Sequence, residues 1–409
     1  MSNLARKFKL PAPLFSPDSA WRQPVRDVAI RENNSRFIHE MFQMLRGHQQ
    51  NFCYLNYDDF TIPVFKSNPE PDCENNRIEL LNYWGDSWAS STLAGQMLEE
   101  DGKRFICGVP QPAAIVRPSG PQSTDADGHL VLVDIEKGTS WEFWHATTRF
   151  EVETSAGGGF NGEKVLQSGA IEKFVLDGQG AQRPAGTCQF RGSARATGVS
   201  LLAGLLLPED FQSRAIEHAM VFSIPRLRHV YPVHDTTQYD YVYPATKTET
   251  SAYNGSPWAM GGGERIRLKD ELFDRNGQPL AVHSFSNATR KLLDALREFG
   301  AYLVDGGGGF GFYAEDYRTG NLALPENEFE ELTASTHRDE CEITCRESQW
   351  HYLVQLLNCE FQQVPFAVLK EGQIVSNFDF VENAIVPDGF NTVCTVGAIN
   401  EEVDYSVHG

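Results

Sequence analysis

The sequence predicts a mainly β protein: a β-sandwich of jelly-roll or concanavalin-like type with a few peripheral helices. Most of its apolar runs are short, alternate with a period of two residues and end at Gly, Pro, Asn or Asp, which is typical of strands. Strong helix patterns are rare, and no internal repeat is found, which disfavours propellers and solenoids. Many short strands bury one face each most readily when two sheets pack together.

Composition divides the 409 residues into three parts. Residues 1–80 are predicted to form a proline-rich arm and a helix over 34–46 that pack on the core. Residues 81–320 contain most of the strand patterns and form the predicted sandwich. Residues 321–409 begin with an acidic stretch and lose the earlier pattern, which indicates a C-terminal α+β extension or small subdomain.

A hairpin within residues 125–148, DADGHLVLVDIEKGTSWEFWHATT, gives the strongest strand signal. HLVLVD and SWEFWHA alternate with a period of two, and the EKGT between them carries a turn glycine. Both faces of the hairpin are apolar, so we expect it in the middle of the packed structure. A loop centred on Lys137–Gly138 predicts these cross-strand pairs: Val133–Glu142, Val131–Trp144 and Asp134–Trp141.

The clearest helix pattern covers residues 287–299, where leucines recur on one stripe and Gly300 fits the C-cap. It leads into AYLVD, four glycines and FGFYAED, which predict a strand, a glycine loop and a second strand over 301–316. Pro208 is predicted to begin a short helix. Further strand-like segments are 155–185, 216–226, 239–248 and 264–270.

Charge and composition narrow the classes of function. The chain has a net charge of −20 and a pI near 5.0, which argues against binding nucleic acid or an anionic membrane surface. No apolar run of about 18 residues occurs, so no membrane-spanning helix is predicted. The N-terminus lacks the features of a secretory signal, which predicts a cytoplasmic protein, with export by another route left open. No cofactor is predicted.

Eight cysteines are scattered along the chain, at positions 53, 73, 107, 188, 341, 345, 359 and 394. Cys341 and Cys345 have a helical spacing, but a zinc site of this kind needs a second pair, and none accompanies them. The simplest prediction is free thiols in a reducing compartment.

Common catalytic motifs are absent from the sequence. It has no phosphate-binding glycine loop that opens a helix, no nucleophile elbow, no zinc-protease helix and no EF-hand loop. The candidate catalytic groups are therefore isolated acids and histidines: Asp127, His129, Glu142, His218 and Asp305.

The first three candidates lie on the hairpin. Asp127 and His129 enter its first strand and could form an acid/base pair or one edge of a metal site; alternatively, they stabilise a turn and bond to backbone. Glu142 lies between Trp141 and Phe143, and apolar surroundings raise the pKa of a carboxyl group, as a general acid requires. The alternative is a strand glutamate that points into solvent.

The remaining candidates lie further along the chain. His218 shares a strand face with Met220 and Phe222, where a histidine is more often a core residue with satisfied hydrogen bonds. Asp305 ends a strand beside the four glycines, which let a ligand approach closely, although it could equally start a turn. Predicted substrate-binding residues are Trp144, Tyr241, Tyr243 and Arg267. The alternative for the tyrosines is core packing, and the alternative for Arg267 is a charge on the sheet surface.

These features favour a glycan-active enzyme, either a glycoside hydrolase or a polysaccharide lyase, with carbohydrate as its partner. Acids and histidines are set among tryptophans, and aromatic rings stack on sugars. In a hydrolase, Glu142 and either Asp127 or Asp305 would form the catalytic carboxylate pair.

In a lyase, His129 or His218 would remove a proton, a tyrosine would protonate the leaving oxygen, and Arg267 would neutralise a uronate. Two other classes of function stay open. One is a non-catalytic carbohydrate-binding or self-assembling structural protein, which could be a homo-oligomer. The other is a metal-dependent enzyme with a site of His129, His218 and an aspartate.

Six blocks of the chain, in their order along the sequence, carry a resemblance to a known family. They are LFSPDSAWRQPV, DGHLVLVD with SWEFWHA, GLLLPEDF with IEHAMVFSIPR, YVYPAT, ERIRLK and ALREFGAYLVDGGG. This order resembles a large family of bacterial proteins of uncharacterised function, and the resemblance covers about residues 10–318. It implies no particular activity; many members are secreted, whereas this N-terminus has no recognisable signal. The candidate acids and histidines within the blocks are Asp127, His129, Asp134, Glu142, His218 and Asp305.

Overall fold

The computed structural model describes residues 4–48, 51–58, 60–70, 77–81, 88–89, 93, 96–113, 118, 127–150, 163–181, 193–228, 241–247, 253–337, 340–344 and 348–384. Within these ranges the helices are α1 (Asn34–Gly47), α2 (Pro208–Gln212), α3 (Asn287–Glu298), α4 (Glu326–Thr333) and α5 (Gln349–Phe361). The strands are β1 (Tyr54–Asn56), β2 (Val64–Lys66), β3 (Arg77–Leu80), β4 (Trp88–Ala89), β5 (Met97–Glu100), β6 (Lys103–Cys107), β7 (Leu130–Asp134), β8 (Thr139–Trp144), β9 (Thr147–Phe150), β10 (Glu163–Ser168), β11 (Ala170–Val175), β12 (Met220–Ile224), β13 (Leu227–Arg228), β14 (Tyr253–Asn254), β15 (Arg265–Leu268), β16 (Ala301–Gly306), β17 (Gly311–Tyr313), β18 (Ala367–Lys370), β19 (Gln373–Ser376) and β20 (Phe378–Phe380).

The prediction of a mainly β protein is confirmed. One sheet has six strands in the order β1-β17-β12-β16-β15-β20, and two have five strands, in the orders β2-β7-β8-β11-β4 and β5-β6-β3-β10-β9. The sheets are mixed, because β1 pairs with β17, β2 with β7 and β12 with β16 in parallel. Parallel partners need long connections, so alternation along the sequence gives no sign of which strands pair this way.

Among the residues that the structure describes, the sheets and helices share three hydrophobic cores. The sheet containing β7 and β8 lies between the other two: Val131 of β7 shares a core with Val221 of β12, whereas Leu132 of β7 shares another with Ile106 of β6. A third core joins the opposite face of the six-stranded sheet to α1, α3 and α5. Burial on both faces explains why β7 is an almost continuous apolar run.

The predicted hairpin is central, as expected, but its predicted register is wrong by two residues. Val131, and not Val133, faces Glu142. The Asp134 carboxylate accepts two N–H groups of the following loop at 3.1 and 3.0 Å, so the turn begins directly after Asp134 and is one residue earlier than predicted. A shift of two residues keeps every side chain on its predicted face, because side chains alternate with a period of two.

The predicted helices over 34–46 and 287–299 are confirmed, and Pro208 does begin a short helix. The Ser286 hydroxyl accepts the N–H of Thr289 and so caps α3. The segments 216–226, 264–270 and 301–316 contain β12, β15 and the pair β16–β17, as predicted. Of segment 155–185, residues 163–181 are described and contain β10 and β11.

The strand predicted over 239–248 is wrong for the residues that the structure describes. Tyr241 makes a single bridge to Gly262, and a turn closed by Ala245 N–H and the Val242 carbonyl follows it. Pro244 lies in this turn and has no N–H to offer a neighbouring strand, which explains why pairing stops there. Tyr239 lies outside the described residues.

All three parts of the predicted division contribute to one core. Phe37 of α1, Leu303 of β16 and Phe380 of β20 belong to the same hydrophobic cluster. Residues beyond 320 add α4, α5 and the edge strand β20 of the six-stranded sheet. The described residues contain no helix that is long and apolar enough to cross a membrane.

The prediction of free thiols is wrong for one pair of cysteines. Cys341 and Cys359 form a disulfide, with Cα atoms 5.8 Å apart. The two residues are 18 positions apart and show no motif, so the sequence pattern gave no sign of the bond. Cys53 and Cys107 are free and buried, and Cys345 lies outside the described residues.

Candidate functional site

Four of the five predicted catalytic residues lie around one buried arginine, Arg195. They come from the β7–β8 hairpin and from the end of β16, so two neighbouring sheets contribute to the site. A tyrosine of β17 completes the group. We call these six residues the Arg195 cluster: Asp127, His129, Glu142, Arg195, Asp305 and Tyr313.

The Arg195 side chain is fully buried and sparsely paired. Its guanidinium lies 4.3 Å from the ring centroid of Tyr313, and Nη1 lies 3.4 Å from Oδ2 of Asp305. Nη2 donates to the Leu201 carbonyl at 3.2 Å, whereas Nε has no hydrogen-bond partner among the described residues. Because a buried charge costs several kcal/mol unless it is compensated, so weakly paired a guanidinium is unusual.

The loop of residues 193–201 positions Arg195. The Thr197 hydroxyl donates to the Val304 carbonyl at 2.7 Å, and the Ala196 N–H donates to Asp305 Oδ1 at 3.1 Å. These bonds tie the loop to β16. Gly198 has a φ of 79°, a left-handed conformation that glycine adopts without a steric cost, so the loop can turn sharply after Arg195.

Glu142 is fully buried and bound to the same loop. Its Oε1 accepts the hydroxyls of Ser140 and Ser200 at 3.0 and 2.5 Å, and its Oε2 accepts the Leu201 N–H at 2.5 Å. Burial raises the pKa of Glu142 to about 7, although these hydrogen bonds and Arg195 oppose the rise. The expected rise in pKa is therefore present, but the carboxyl group faces a loop and does not face solvent.

His129 is buried as well, with 1% of its surface exposed. Its Nε2 lies 3.3 Å from the Ala194 carbonyl. Burial lowers the pKa of His129 to about 4; Asp127 opposes this shift, and Arg195 adds to it. The imidazole is therefore neutral at pH 7.

The outer side of the cluster is partly open to solvent. Asp127, Trp144 and Asp305 are half-buried, and the glycines after Asp305 include exposed ones. The Trp144 indole donates to Asp127 Oδ1 at 3.4 Å, and the Asp127 carbonyl accepts the N–H of His145 at 2.8 Å. We call this solvent-accessible side of the cluster, at Asp127, Trp144 and Asp305, its opening.

His145 has an unusual backbone conformation at this opening. Its φ is 51°, in the left-handed region that non-glycine residues rarely adopt, and such residues cluster at functional sites. A Cβ on Gly128 would lie 3.1 Å from the Cα of His145, so the two chain segments touch closely. Burial lowers the pKa of His145, and Asp127 opposes this shift, which favours a neutral imidazole at the opening.

Tyr313 is the buried tyrosine of the cluster. Burial raises the pKa of its phenol far above the usual value, Asp305 adds to the rise, and Arg195 opposes it. The phenol therefore stays protonated and could donate a proton but could not readily accept one.

His218, the fifth predicted catalytic residue, has different partners. Its Nε2 lies 3.2 Å from Oδ1 of Asp210, and its Nδ1 lies 3.0 Å from the carbonyl of Ala219. Asp210 in turn accepts the N–H of Leu207 at the start of α2. Both ring nitrogens thus have local partners in a core environment, which matches the structural alternative for this residue.

Three predicted substrate-binding residues have neighbours within the fold. The guanidinium of Arg267 donates to the backbone carbonyls of Val25 and Arg26 in the N-terminal arm. Tyr241 and Tyr243 are both buried, and the Tyr243 hydroxyl donates to the Gln179 side chain at 3.1 Å. Trp144 is the predicted substrate-binding residue that lies at the opening of the cluster.

Sequence patterns did not identify Arg195, Tyr313 or Glu172. Arg195 lies in a loop whose sequence has no periodic pattern. The pattern around Tyr313 is typical of a core residue in a strand. Glu172 of β11 is buried and lies directly across the sheet from Glu142. Alternation in AIEKFV could have placed Glu172 on a sheet face, but pairing with Glu142 could not be read without the register.

The described residues contain no group of three or more His, Cys, Asp or Glu side chains arranged to hold a metal ion. Comparison with models of protein families, with curated proteins and with solved structures finds no match.

Proposed function

We propose that the chain is a glycan-active enzyme and that the Arg195 cluster is its active site. One observation carries the proposal. Two half-buried carboxylates lie near the same buried tyrosine: Asp127, in the segment before β7, and Asp305, in β16, both raise the pKa of the Tyr313 phenol. A pair of carboxyl groups at one opening is what most glycoside hydrolases require.

Asp305 suits the role of base or nucleophile in a hydrolase. Its two oxygens contact the Arg195 guanidinium and the Ala196 N–H, and these contacts hold the carboxylate in place. Asp127, beside Trp144 and two neutral histidines, suits proton exchange with the glycosidic oxygen. The half-exposed indole of Trp144 offers a face on which a sugar ring can stack.

Glu142 has a different role in this proposal. Since its oxygens bind the loop of residues 193–201, we assign it the task of holding Arg195 in position. Proton transfer then falls to the two aspartates at the opening.

A lyase is the second candidate, and the neutral imidazole of His145 favours it. His145 would remove the proton at C5 of a uronate, the C4–C5 double bond would form, and the C4–O bond would break. Tyr313 would protonate the leaving oxygen, while Arg195 would neutralise the carboxylate. The hydrolase fits better, because Arg195 already contacts Asp305 and two carboxylates at the opening repel an anionic sugar.

The test is a screen of neutral and uronate-containing polysaccharides with the full chain. Hydrolysis is followed by new reducing ends, and elimination by the ultraviolet absorbance of the unsaturated product. On a substrate that is cleaved, we expect Asp127→Asn and Asp305→Asn each to lower kcat/KM by about 100-fold or more. Asp177→Asn, at an exposed aspartate, is the matched control and should leave the rate unchanged.

Thermal unfolding of each variant shows whether it remains folded. Folded Asp127→Asn and Asp305→Asn proteins with wild-type activity would overturn the assignment of the site. Binding of glycans without any turnover would overturn the enzymatic proposal and indicate a carbohydrate-binding protein. Cleavage of uronate polymers alone, with loss of activity in His145→Gln, would select the lyase over the hydrolase.

A further inference from the structure

Three side chains beside α3 and α4 form a hydrogen-bonded series outside the Arg195 cluster. The Oγ of Ser284 lies 2.6 Å from Nε2 of His337. Nδ1 of His337 lies 3.2 Å from Oε2 of Glu340. A hydroxyl, an imidazole and a carboxylate in this order have the geometry by which serine hydrolases activate their nucleophile.

We propose that this series is a second catalytic site, at which Ser284 is the nucleophile in the hydrolysis of small acyl esters. His337 acts as general base and acid. Glu340 acts through His337 as a positioning residue. The inference is independent of the proposed glycan activity, because it uses different residues on a different part of the fold.

Local structure holds the serine and the histidine together. Ser284 ends a short 3-10 turn, Val282–Ser284, that precedes α3. Its carbonyl accepts the N–H and the hydroxyl of Thr336 at 3.1 and 3.2 Å, so the segment that carries His337 is attached to the turn. The His337 ring also packs on the ring of buried Phe285, with centroids 5.4 Å apart.

Solvent reaches this site. Ser284 is half-buried, 29% of the His337 side chain is exposed, and 70% of the Glu340 side chain is exposed. A small ester could therefore approach the hydroxyl without any movement of the core. This accessibility distinguishes the series from the buried His218–Asp210 pair.

The proton arrangement suits nucleophilic attack. In the tautomer whose Nδ1–H donates to the Glu340 carboxylate, Nε2 is the acceptor that faces Ser284. The Ser284 hydroxyl can donate to Nε2 or to the Ala281 carbonyl, which is 2.6 Å away. The hydroxyl proton therefore already has a path to the imidazole.

The reaction needs only an ester and water. Ser284 Oγ bonds to the acyl carbon as its proton moves to His337, and His337 then protonates the alcohol that leaves. Water attacks the acyl-serine, gives its proton to His337, and the acid departs as Oγ regains the proton. No metal, oxidant or reductant takes part in either step.

The test uses a fluorophosphonate reagent and a short-chain p-nitrophenyl ester on the full chain. In the reagent reaction, an O–P bond forms at serine as the P–F bond breaks and fluoride leaves. We expect mass spectrometry to locate the label on Ser284, and the ester to be hydrolysed. His337→Gln should slow both reactions by about 100-fold or more, because it removes the general base.

Glu340→Gln separates a positioning role from a structural one. Because Glu340 is exposed, we expect labelling to slow only about two- to fivefold. Loss of its negative charge should also move the pH midpoint of labelling downward. His283→Gln, at the exposed histidine next to Ser284, is the matched control and should change neither rate nor midpoint.

Label on Ser284 that depends on His337 would support the proposal, and so would ester hydrolysis that Ser284→Ala abolishes. Absence of label in the folded wild-type chain would overturn it. Label on another serine, or label on Ser284 at an unchanged rate in His337→Gln, would also overturn it. The wild-type measurement requires no substitution, so a variant that fails to fold cannot obscure the result.

Discussion

Two regions of the molecule contain a buried guanidinium near carboxylates, and the two guanidinium groups differ in how many carboxylate contacts they make. In the first, which we call the Arg6 network (Arg6, Glu209 and Glu315), Arg6 Nε lies 2.8 and 3.1 Å from the two oxygens of Glu315. Its Nη1 lies 2.6 Å from Glu209. In the Arg195 cluster, the guanidinium makes one carboxylate contact within the described residues, at 3.4 Å.

The difference indicates different purposes. Burial lowers the pKa of Arg6, but Glu315 and Glu209 outweigh it, and the net pKa is raised. Because the Arg6 guanidinium is paired with both glutamates, it fixes the N-terminal arm against α2 and the segment after β17. Arg195 retains an Nε without a partner among the described residues, and its neighbours include ionisable groups with shifted pKa values. A buried charged group with few hydrogen-bond partners, next to acids and bases with shifted pKa values, is typical of functional sites.

The largest expected effect comes from removing each arginine in turn. Arg6→Met leaves two carboxylates buried without their partner, so we expect the free energy of unfolding to fall by about 3–5 kcal/mol. Arg195→Met leaves Asp305, which is half-buried and can be hydrated, so we expect a loss of about 1–2 kcal/mol. Urea denaturation of both variants measures the two losses.

The same two variants test whether the two arginines have different roles. On a glycan that the wild type cleaves, Arg195→Met should lose activity while folded, whereas folded Arg6→Met should keep it. Equal losses of stability in the two variants would show that both arginines act as structural clamps. A slower rate in Arg6→Met alone would reverse the assignment.

The next effect concerns pH. The pKa of Glu142 is about 7 in the folded chain against an ordinary value of 4.5, so between these values the folded state binds more protons than the unfolded state. The free energy of unfolding therefore falls as pH rises through this range, by about 3 kcal/mol from this group. Because Glu142→Gln does not titrate, its stability should fall less than that of the wild type.

Denaturation of both proteins at about pH 5 and about pH 8 gives the comparison, since all other titrating groups are common to them. Parallel pH profiles would show that the pKa of Glu142 is not raised. Ser140→Ala serves as the control, because it removes one hydrogen bond to the carboxyl group and leaves the titration in place.

Local sequence patterns predicted the individual helices and strands better than they predicted how the strands pair. The stripe of α3 and the two faces of the hairpin depend on short-range periodicity, and the structure has both. The parallel partners of β7 and β12 depend on long connections, and the register of the hairpin depends on how Asp134 binds its loop. Neither feature produces a periodic pattern of apolar residues in the sequence.

The candidate site shows the same limit. Glu142 could be singled out because aromatic neighbours are visible in the sequence. Its partners Ser200 and Leu201 could not, since the distance along the chain is about 60 residues and the loop has no regular pattern. His218 was selected by residue type, and only the three-dimensional contact with Asp210 separates it from the cluster.

A smaller effect on stability tests whether His218 is a structural residue outside the Arg195 cluster. Burial lowers the pKa of His218, but Asp210 outweighs it and the net pKa is raised, so the protonated histidine stabilises the folded state. That contribution is complete below the ordinary value of 6.5 and disappears as pH rises through the raised pKa. We expect His218→Gln to cost about 1–3 kcal/mol in acid and less in alkaline solution, measured by denaturation. A variant that loses glycan activity but keeps its stability would return His218 to the active site.

The smallest expected effect concerns Tyr243, which the sequence offered as a sugar-binding residue. Its ring is buried and its hydroxyl bonds to Gln179, so Tyr243→Phe should lower the free energy of unfolding by about 0.5–1.5 kcal/mol and leave KM for a cleaved glycan unchanged. Trp144→Phe is the informative companion, because it trims an aromatic face at the opening and should raise KM. If Tyr243→Phe raised KM at unchanged stability, the tyrosine would contact substrate, and the opening of the Arg195 cluster would have to extend to Gln179.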